Sequence, residues 1–197
     1  MEEMERPEEP KGTARVPIEV YIERYARLWL LDTETSGPDW EKHSIIALRL
    51  VRLEGWEAVE ERTILVRPEK PLSRQAEKLT GISNRELEGA LTLKKALAEL
   101  EGVTGGRSAY ILDRESAFPF LIRAYGRCNR RFPRNIQRLD LRLDGMGIPG
   151  RQSFAKLFKA LPPVPAGVMP DVPPKDWYMQ ELYELTRRVI YQSYQRC

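Results

Sequence analysis

The feature that most limits what this chain can fold into is a short apolar run that ends on two acidic residues. Residues 28–31 read Leu-Trp-Leu-Leu, Asp32 follows at once, and Glu34 lies two positions later. A continuous apolar run of this length is typical of a strand that is buried on both faces of a sheet. Because side chains alternate along a strand, Asp32 and Glu34 should share one face. The sequence therefore predicts a central strand that ends in paired carboxylates.

The rest of the chain predicts an α/β domain with a mixed sheet. Two further strands in a meander are indicated at residues 44–53 and 56–66. The later segments are helix-like at 72–79 and 90–100, strand-like at 109–112, helical at 117–125, strand-like at 135–141, and helical at 153–161 and 177–190. Strands that are followed by alternating helices and strands favour a mixed sheet. The Pro-rich residues 161–174 are expected to form a loop that is either functional or poorly ordered.

Size and composition limit the classes of protein that remain. At 197 residues with 42% hydrophobic residues, the chain is expected to form one domain over residues 16–197, preceded by a disordered acidic tail over 1–15. It has no apolar run of about 20 residues and no apolar signal segment, which predicts a cytoplasmic protein without membrane contact. Two cysteines without CxxC spacing and a single histidine, His43, exclude a Cys/His metal site.

The acidic pair at the end of the first strand has a chemical interpretation. Carboxylate oxygens suit Mg²⁺ or Mn²⁺, and two such ions about 3.5–4 Å apart can activate water for phosphodiester cleavage. The spacing of Asp32 and Glu34 alone is common, however, and usually marks a solvated strand end. The acidic pair therefore needs support from the residues around it.

Several ordered segments supply that support. Residues 30–37 (LLDTETSG), 45–48 (IIAL), 65–68 (LVRP) and 76–87 (AEKLTGISNREL) together closely resemble the histidine-type branch of the DEDD 3′-to-5′ exonucleases, typified by the proofreading epsilon subunit of bacterial DNA polymerase III. The resemblance is strong over residues 28–101 and weaker to 190. It implies an RNase H-like fold, a mixed five-stranded sheet flanked by helices, with Mg²⁺ or Mn²⁺ if the chain is active and none if it is not.

The resemblance also assigns roles to individual residues. Asp32 and Glu34 match the first motif, and Asp176 matches the final aspartate of the third motif as a metal ligand. The aspartate of the second motif falls on Ala117, and Asp171 occupies the position of the histidine base. Loss of a general base typically costs about 10²- to 10⁴-fold in rate. The resemblance thus implies a nuclease fold with a degenerate site.

Two hypotheses follow from this pattern. The preferred one is a nucleic-acid-binding module with weak or lost activity. The alternative is a working metal-dependent exonuclease that is rebuilt around Asp32, Glu34, Asp171 and Asp176. Asp113 is another possible substitute ligand, although a helix N-cap is the simpler interpretation. His43 could stand in as a base, but an ordinary polar residue at a strand start is the favoured interpretation.

The basic residues of the second half point to a partner. Between Arg107 and Lys159 there are twelve Arg or Lys residues and four acidic ones. Candidate contacts to the phosphates of a single-stranded end are Arg123, Arg127, Arg130 and Arg131, with a solvated basic surface as the alternative. Trp40 could stack on a base or pack at the rim of the core. A protein partner in a replication, repair or processing complex is also expected, without an identity.

Overall fold

The computed structural model describes residues 27–111, 117–138 and 158–195. The predicted tail over residues 1–15, most of the predicted helix at 153–161 and the candidate ligand Asp113 lie outside the described residues. The sheet, the helices that flank it and the predicted carboxylates Asp32, Glu34, Asp171 and Asp176 lie within them.

The sheet has five strands in the order β3-β2-β1-β4-β5. They are β1 (Arg27–Thr35), β2 (Ile45–Glu54), β3 (Glu57–Leu65), β4 (Ala109–Ile111) and β5 (Ile136–Arg138). The first three strands pair antiparallel as a meander, whereas β4 pairs parallel with both β1 and β5. The central strand is β1, as its apolar run predicts. The expected mixed five-stranded sheet is confirmed.

The helices whose bounds lie within the described residues cover this sheet and its ends. They are α1 (Arg74–Thr80), α2 (Asn84–Glu88), α3 (Leu93–Thr104), α4 (Ala117–Arg127) and α5 (Trp177–Gln195). Gly81 ends α1 in the left-handed region at φ 70°, a conformation that glycine adopts without strain. The short helix α2 was not predicted; it begins with a capping box between Ser83 and Glu86.

The two faces of the sheet are buried against different helices. On one face α5 packs against β1 and β2, with Leu182, Leu185 and Val189 meeting Leu28, Leu30, Val51 and Leu53. On the other face α3 and α4 pack over the alternate residues of the same strands, which include Trp29, Leu31 and Leu50. Strand alternation continues to Asp32 and Glu34, so both acidic residues lie on the face that carries α5.

The Pro-rich segment before α5 lies along the outer side of β3. Val172 forms a parallel bridge with Glu57, and its carbonyl accepts a hydrogen bond from the Ala58 amide at 3.0 Å. The Tyr183 hydroxyl of α5 donates to the Trp56 carbonyl at 2.7 Å. These contacts hold the segment and the helix against the β2–β3 turn. None of the helices in the described part of the chain is both long and apolar enough to cross a membrane.

Candidate functional site

The predicted acidic pair lies at the end of β1, where the strand leaves the core. The Asp32 side chain is buried, and its Oδ1 accepts a hydrogen bond from the Thr33 amide at 2.7 Å. Glu34 is 17% exposed, and the register between β1 and β2 shifts immediately after it. The bulge ends regular pairing at the point where the acidic side chains reach the edge of the apolar core.

An arginine that the sequence interpretation did not single out lies beside this pair. Arg49 stands directly opposite Asp32 in the β1–β2 register, and directly opposed residues present their side chains on the same face. Its Nε is 3.4 Å from Glu34 Oε1, and its Nη1 is 2.5 Å from Asp176 Oδ2. The guanidinium is 18% exposed and lies between two carboxylates. We call Asp32, Glu34, Arg49 and Asp176 the carboxylate site.

Asp176 reaches this site from the start of α5. Its Oδ1 lies 3.4 Å from the Met179 amide, the position of a helix N-cap contact, while its Oδ2 faces Arg49. The backbone amides of Lys175 and Asp176 donate to the Glu61 carboxylate of β3 at 2.6 Å and 3.0 Å. The first turn of α5 is therefore attached to β2 by an ion pair and to β3 by two hydrogen bonds.

Asp171 is engaged elsewhere. Its side chain is 68% exposed and pairs with Arg187 Nη1 at 2.9 Å, and the same nitrogen is 2.8 Å from Glu184. In the ranges 27–111, 117–138 and 158–195, no three His, Cys, Asp or Glu side chains are grouped so that they could hold a metal ion. Of the four carboxylates of the rearranged site, Asp171 is therefore paired with Arg187, whereas Glu34 and Asp176 both contact Arg49.

Two further positions bear on the site: Ala117, where the family has an aspartate, and His43, which could stand in as a base. Ala117 is the first residue of α4 and is buried, so it contributes a methyl group and no oxygen. His43 Nδ1 lies 3.1 Å from the Asp39 amide. A Cβ on Gly37 would come within 2.4 Å of the imidazole ring, so the ring fits there only because Gly37 has no side chain. His43 is therefore held within its own loop.

A second candidate site is a groove between the 36–44 loop, residues 68–73 and α4. Its volume is about 570 Å³. The charged side chains and the histidine that line it are Glu41, Lys42, His43, Glu69, Lys70, Arg123 and Arg127. Arg123 donates to the Trp40 carbonyl, and Arg127 pairs with Glu69. Trp40 itself is 42% exposed and lines an adjoining pocket. We call this the basic groove.

Of the four arginines that were predicted to bind nucleic acid, two line the basic groove. Helix α4 ends at Arg127, and Asn129 adopts a left-handed conformation at φ 50°. Arg130 pairs with Glu101 of α3 at 2.6 Å, and Arg131 lines a different cavity. Arg123 and Arg127 therefore line the basic groove, whereas Arg130 and Arg131 do not.

The sheet order, the acidic pair that closes the central strand and the terminal helix over that pair define an RNase H-like domain of the exonuclease type. Comparison with known families agrees with this class. The family model for RNase T, described as an exonuclease, matches residues 29–160, and the chain belongs to that family.

Curated relatives, among them two DNA polymerase III proteins, match part of the chain. The PolC-type DNA polymerase III of Thermotoga maritima is 33% identical over 73 residues, which are 37% of this chain and 5% of that protein. The DNA polymerase III epsilon subunit of Aquifex aeolicus is 39% identical over 70 residues, which are 36% of this chain and 35% of the relative. The match thus spans a small part of both relatives. The resemblance to epsilon-type DEDD exonucleases is confirmed.

Solved structures extend the likeness over most of the chain. The nuclease domain of 3′hExo, a DEDDh family member bound to rAMP, has a TM-score of 0.64 at 18% identity, and the match covers 87% of this chain and 94% of that one. Exonuclease X in complex with 5′ overhanging duplex DNA has a TM-score of 0.52 at 18% identity, covering 84% and 92%. At these identities the likeness establishes the fold.

The described side chains of this site, among which Asp113 is not included, do not fit the pair of divalent cations that the resemblance implies. The expected cradle needs oxygen donors on several sides, and Ala117 supplies none. Arg49 brings a permanent positive charge into contact with Glu34 and Asp176. The donor set is therefore that of an arginine–carboxylate cluster.

Proposed function

We propose that this chain is a nucleic-acid-binding module with an exonuclease fold whose hydrolytic activity is weak or lost. The observation that carries the proposal is the Arg49 guanidinium, which lies between Glu34 and Asp176 in the position where the family resemblance calls for cations. Asp32 and Glu34 are retained on the α5 face. The proposed change to the family's site is therefore the loss of a ligand at Ala117 together with the added positive charge of Arg49.

Physical chemistry explains why this arrangement disfavours hydrolysis. A guanidinium can donate hydrogen bonds to a water molecule but cannot coordinate its oxygen as a Lewis acid, so it does not lower the pKa of that water as a divalent cation does. It also repels an entering cation, by about 4 kcal/mol per unit charge at 4 Å and an effective dielectric constant near 20. Asp171 stands where the family has its histidine base, and loss of such a base lowers the rate of hydrolysis by a further factor of about 10² to 10⁴.

The activity experiment measures nucleotide release from a labelled single-stranded oligonucleotide in Mg²⁺ or Mn²⁺. We expect the native chain to release nucleotides no faster than its Asp32→Ala variant. Metal-dependent release by the native chain that Asp32→Ala abolishes would overturn the proposal. That result would support the alternative of an active exonuclease with a rearranged site, which is favoured by one observation: Asp32 and Glu34 still share a face with Asp176 close to them.

The basic groove is the surface that we propose for nucleic acid. Its lining contains four basic side chains, Lys42, Lys70, Arg123 and Arg127, against two acidic ones, Glu41 and Glu69. Arginine suits phosphate because its planar fork presents five N–H donors, so the contacts to Trp40 and Glu69 leave further donors for a ligand. Exposed Trp40 adds an aromatic ring on which a base can stack.

A matched pair of double variants tests the groove. Arg123→Gln/Arg127→Gln should weaken binding of a single-stranded oligonucleotide by roughly tenfold at low salt and lower the salt slope by about 2. The control, Arg62→Gln/Arg107→Gln, removes the same number of positive charges. Both arginines also pair with acidic residues, but they lie away from the groove. Fluorescence anisotropy in EDTA measures both. Equal weakening by the two double variants, or no binding by the native chain, would contradict the assignment.

A role within a larger assembly is the final element of the proposal. The names of two partial relatives place them in bacterial DNA polymerase III, one as its PolC type and one as its epsilon subunit. We therefore propose that this chain acts in the cytoplasm as part of a DNA- or RNA-processing complex. Co-elution with replication proteins of its own source on a sizing column would support this role, and elution of the chain alone in every such mixture would contradict it.

A further inference from the structure

Arg49 occupies a central position in the sheet. It lies in β2, between Asp32 of β1 and Thr63 of β3 in the strand registers. Its neighbours along the same face, Val51 and Leu53, are fully buried against α5. An arginine at such a position loses much of its hydration, which is unfavourable unless carboxylates compensate it. Glu34 and Asp176 supply that compensation.

The carboxylates of the site are in turn stabilised by a nearby positive charge. Asp32 is almost fully buried, and Glu34 and Asp176 are 17% and 25% exposed. Like charges that are brought together with this little solvent repel one another, and a fold that keeps them must supply positive charge. Within the described residues, Arg49 is the arginine whose guanidinium contacts both Glu34 and Asp176.

The position of Asp176 gives this charge balance a structural role. Asp176 stands at the start of α5, the helix that packs against β1 and β2 on one face of the sheet. Its contact with Arg49 joins that helix to β2, next to the hydrogen bonds that join it to Glu61 of β3. A change in the charge on the β2 side should therefore alter how firmly the start of α5 is attached.

We infer that Arg49 is a resident cation of the carboxylate site: it takes over part of the electrostatic role of divalent ions, so that the repulsion between the carboxylates is reduced and α5 stays attached without metal. The inference rests on the proposed function in one respect, that the site does no metal-dependent chemistry, and it is independent of nucleic-acid binding. The same guanidinium excludes divalent cations, because an ion that used Glu34 and Asp176 would first have to displace it.

The test compares thermal unfolding and Mn²⁺ binding, followed by electron paramagnetic resonance, in four proteins. They are the native chain, Arg49→Gln, Arg49→Lys and the control Arg52→Gln. Arg52 is a matched control because it also lies in β2 and pairs with two glutamates, Glu54 and Glu60, away from the carboxylate site. No activity measurement is needed.

The expected results distinguish the variants. In EDTA, Arg49→Gln should melt roughly 2–4 °C below the native chain, and Mn²⁺ should recover much of that loss. Its Mn²⁺ affinity should be at least tenfold higher than that of the native chain. Arg49→Lys keeps the charge and should bind Mn²⁺ as poorly as the native chain. Arg52→Gln should show no change in Mn²⁺ binding and no recovery by Mn²⁺.

Three outcomes would overturn the inference. They are Mn²⁺ binding of equal strength by the native chain and Arg49→Gln, an unchanged melting temperature of Arg49→Gln in EDTA, and Mn²⁺ binding by the native chain that Glu34→Gln abolishes. The last is measured without any Arg49 variant, so the inference stays open to refutation if Arg49→Gln does not fold. Oligonucleotide binding in EDTA, read separately on the same proteins, shows whether the proposed function fails independently.

Discussion

Two arginines of this fold, Arg49 and Arg187, each lie between two carboxylates. Arg49 joins Glu34 of the sheet to Asp176 at the start of α5. Arg187 lies within α5, is 6% exposed, and joins Glu184 of its own helix to Asp171 of the preceding loop. The chemistry is the same in both places, so an arginine–carboxylate cluster does not by itself indicate a functional site. What distinguishes Arg49 is its position opposite Asp32, at the end of the central strand.

The largest expected effect in this comparison is that of Arg187→Ala. The variant removes a buried guanidinium that also donates to the Met169 carbonyl and lies over the Tyr183 ring. We expect the free energy of unfolding to fall by about 3 kcal/mol. Because Asp171 and Glu184 are not arranged around an inherited cation position, Mn²⁺ should not restore the loss. Urea denaturation with and without Mn²⁺ measures the loss in the free energy of unfolding and any recovery. Recovery in Mn²⁺ would contradict the expected difference between the Arg187 cluster and the carboxylate site.

A smaller effect is expected for Asp176→Asn. Asparagine preserves the N-cap contact to the Met179 amide but removes the negative charge that faces Arg49. Loss of this charge-assisted contact, which is partly exposed, should cost about 1 kcal/mol. Urea denaturation of the two proteins gives the difference. An unchanged free energy of unfolding would show that the ion pair contributes nothing to the attachment of α5.

Asp171→Asn makes the matching change on the Arg187 side. Asp171 is largely exposed, and exposed ion pairs contribute little, so the free energy of unfolding should change by less than about 0.5 kcal/mol. The same denaturation series checks it. A loss as large as that of Asp176→Asn would mean that Asp171 has a structural role equal to that of the family-matched aspartate.

The smallest expected effect is a pH dependence at Glu60, which pairs with the control residue Arg52. Hydrogen bonds from Arg62 and Arg52 lower the pKa of Glu60 below its usual value. A carboxyl with a lowered pKa in the folded state adds stability above its unfolded pKa and loses it as the pH falls through the folded pKa. Melting temperatures of the native chain and Glu60→Gln should therefore differ at pH 7 and converge below about pH 4. A difference that is constant with pH would contradict this.

The fold was largely predictable because its strongest signals are local. The apolar run at 28–31 and the alternation in β2 specify strands without knowledge of their partners, and Gly81 marks the end of α1 through its own backbone preference. Helix α2 was missed because five residues are too short for a periodic pattern. Its capping box, Ser83 followed by Glu86, was present in the sequence as a detectable signal.

The site was predictable only in part, because its decisive contacts join distant residues. That Asp32 and Glu34 share a face follows from strand alternation alone. Arg49 could not be placed between Glu34 and Asp176 without the β1–β2 register and the docking of α5, neither of which is a local property. The end of α4 after Arg127 did have a local signal, because asparagine adopts the left-handed conformation seen at Asn129 more readily than most residues.

The bridge between Val172 and Glu57 has a consequence for how the molecule behaves among its own copies. An outermost strand presents unpaired amides and carbonyls, to which a strand of another chain can add. Here the Pro-rich segment pairs with the beginning of β3, and the strand continues with the charged residues Glu60, Glu61 and Arg62. Shortening that segment would uncover a template for self-association at high concentration, even if the helix behind it stayed in place.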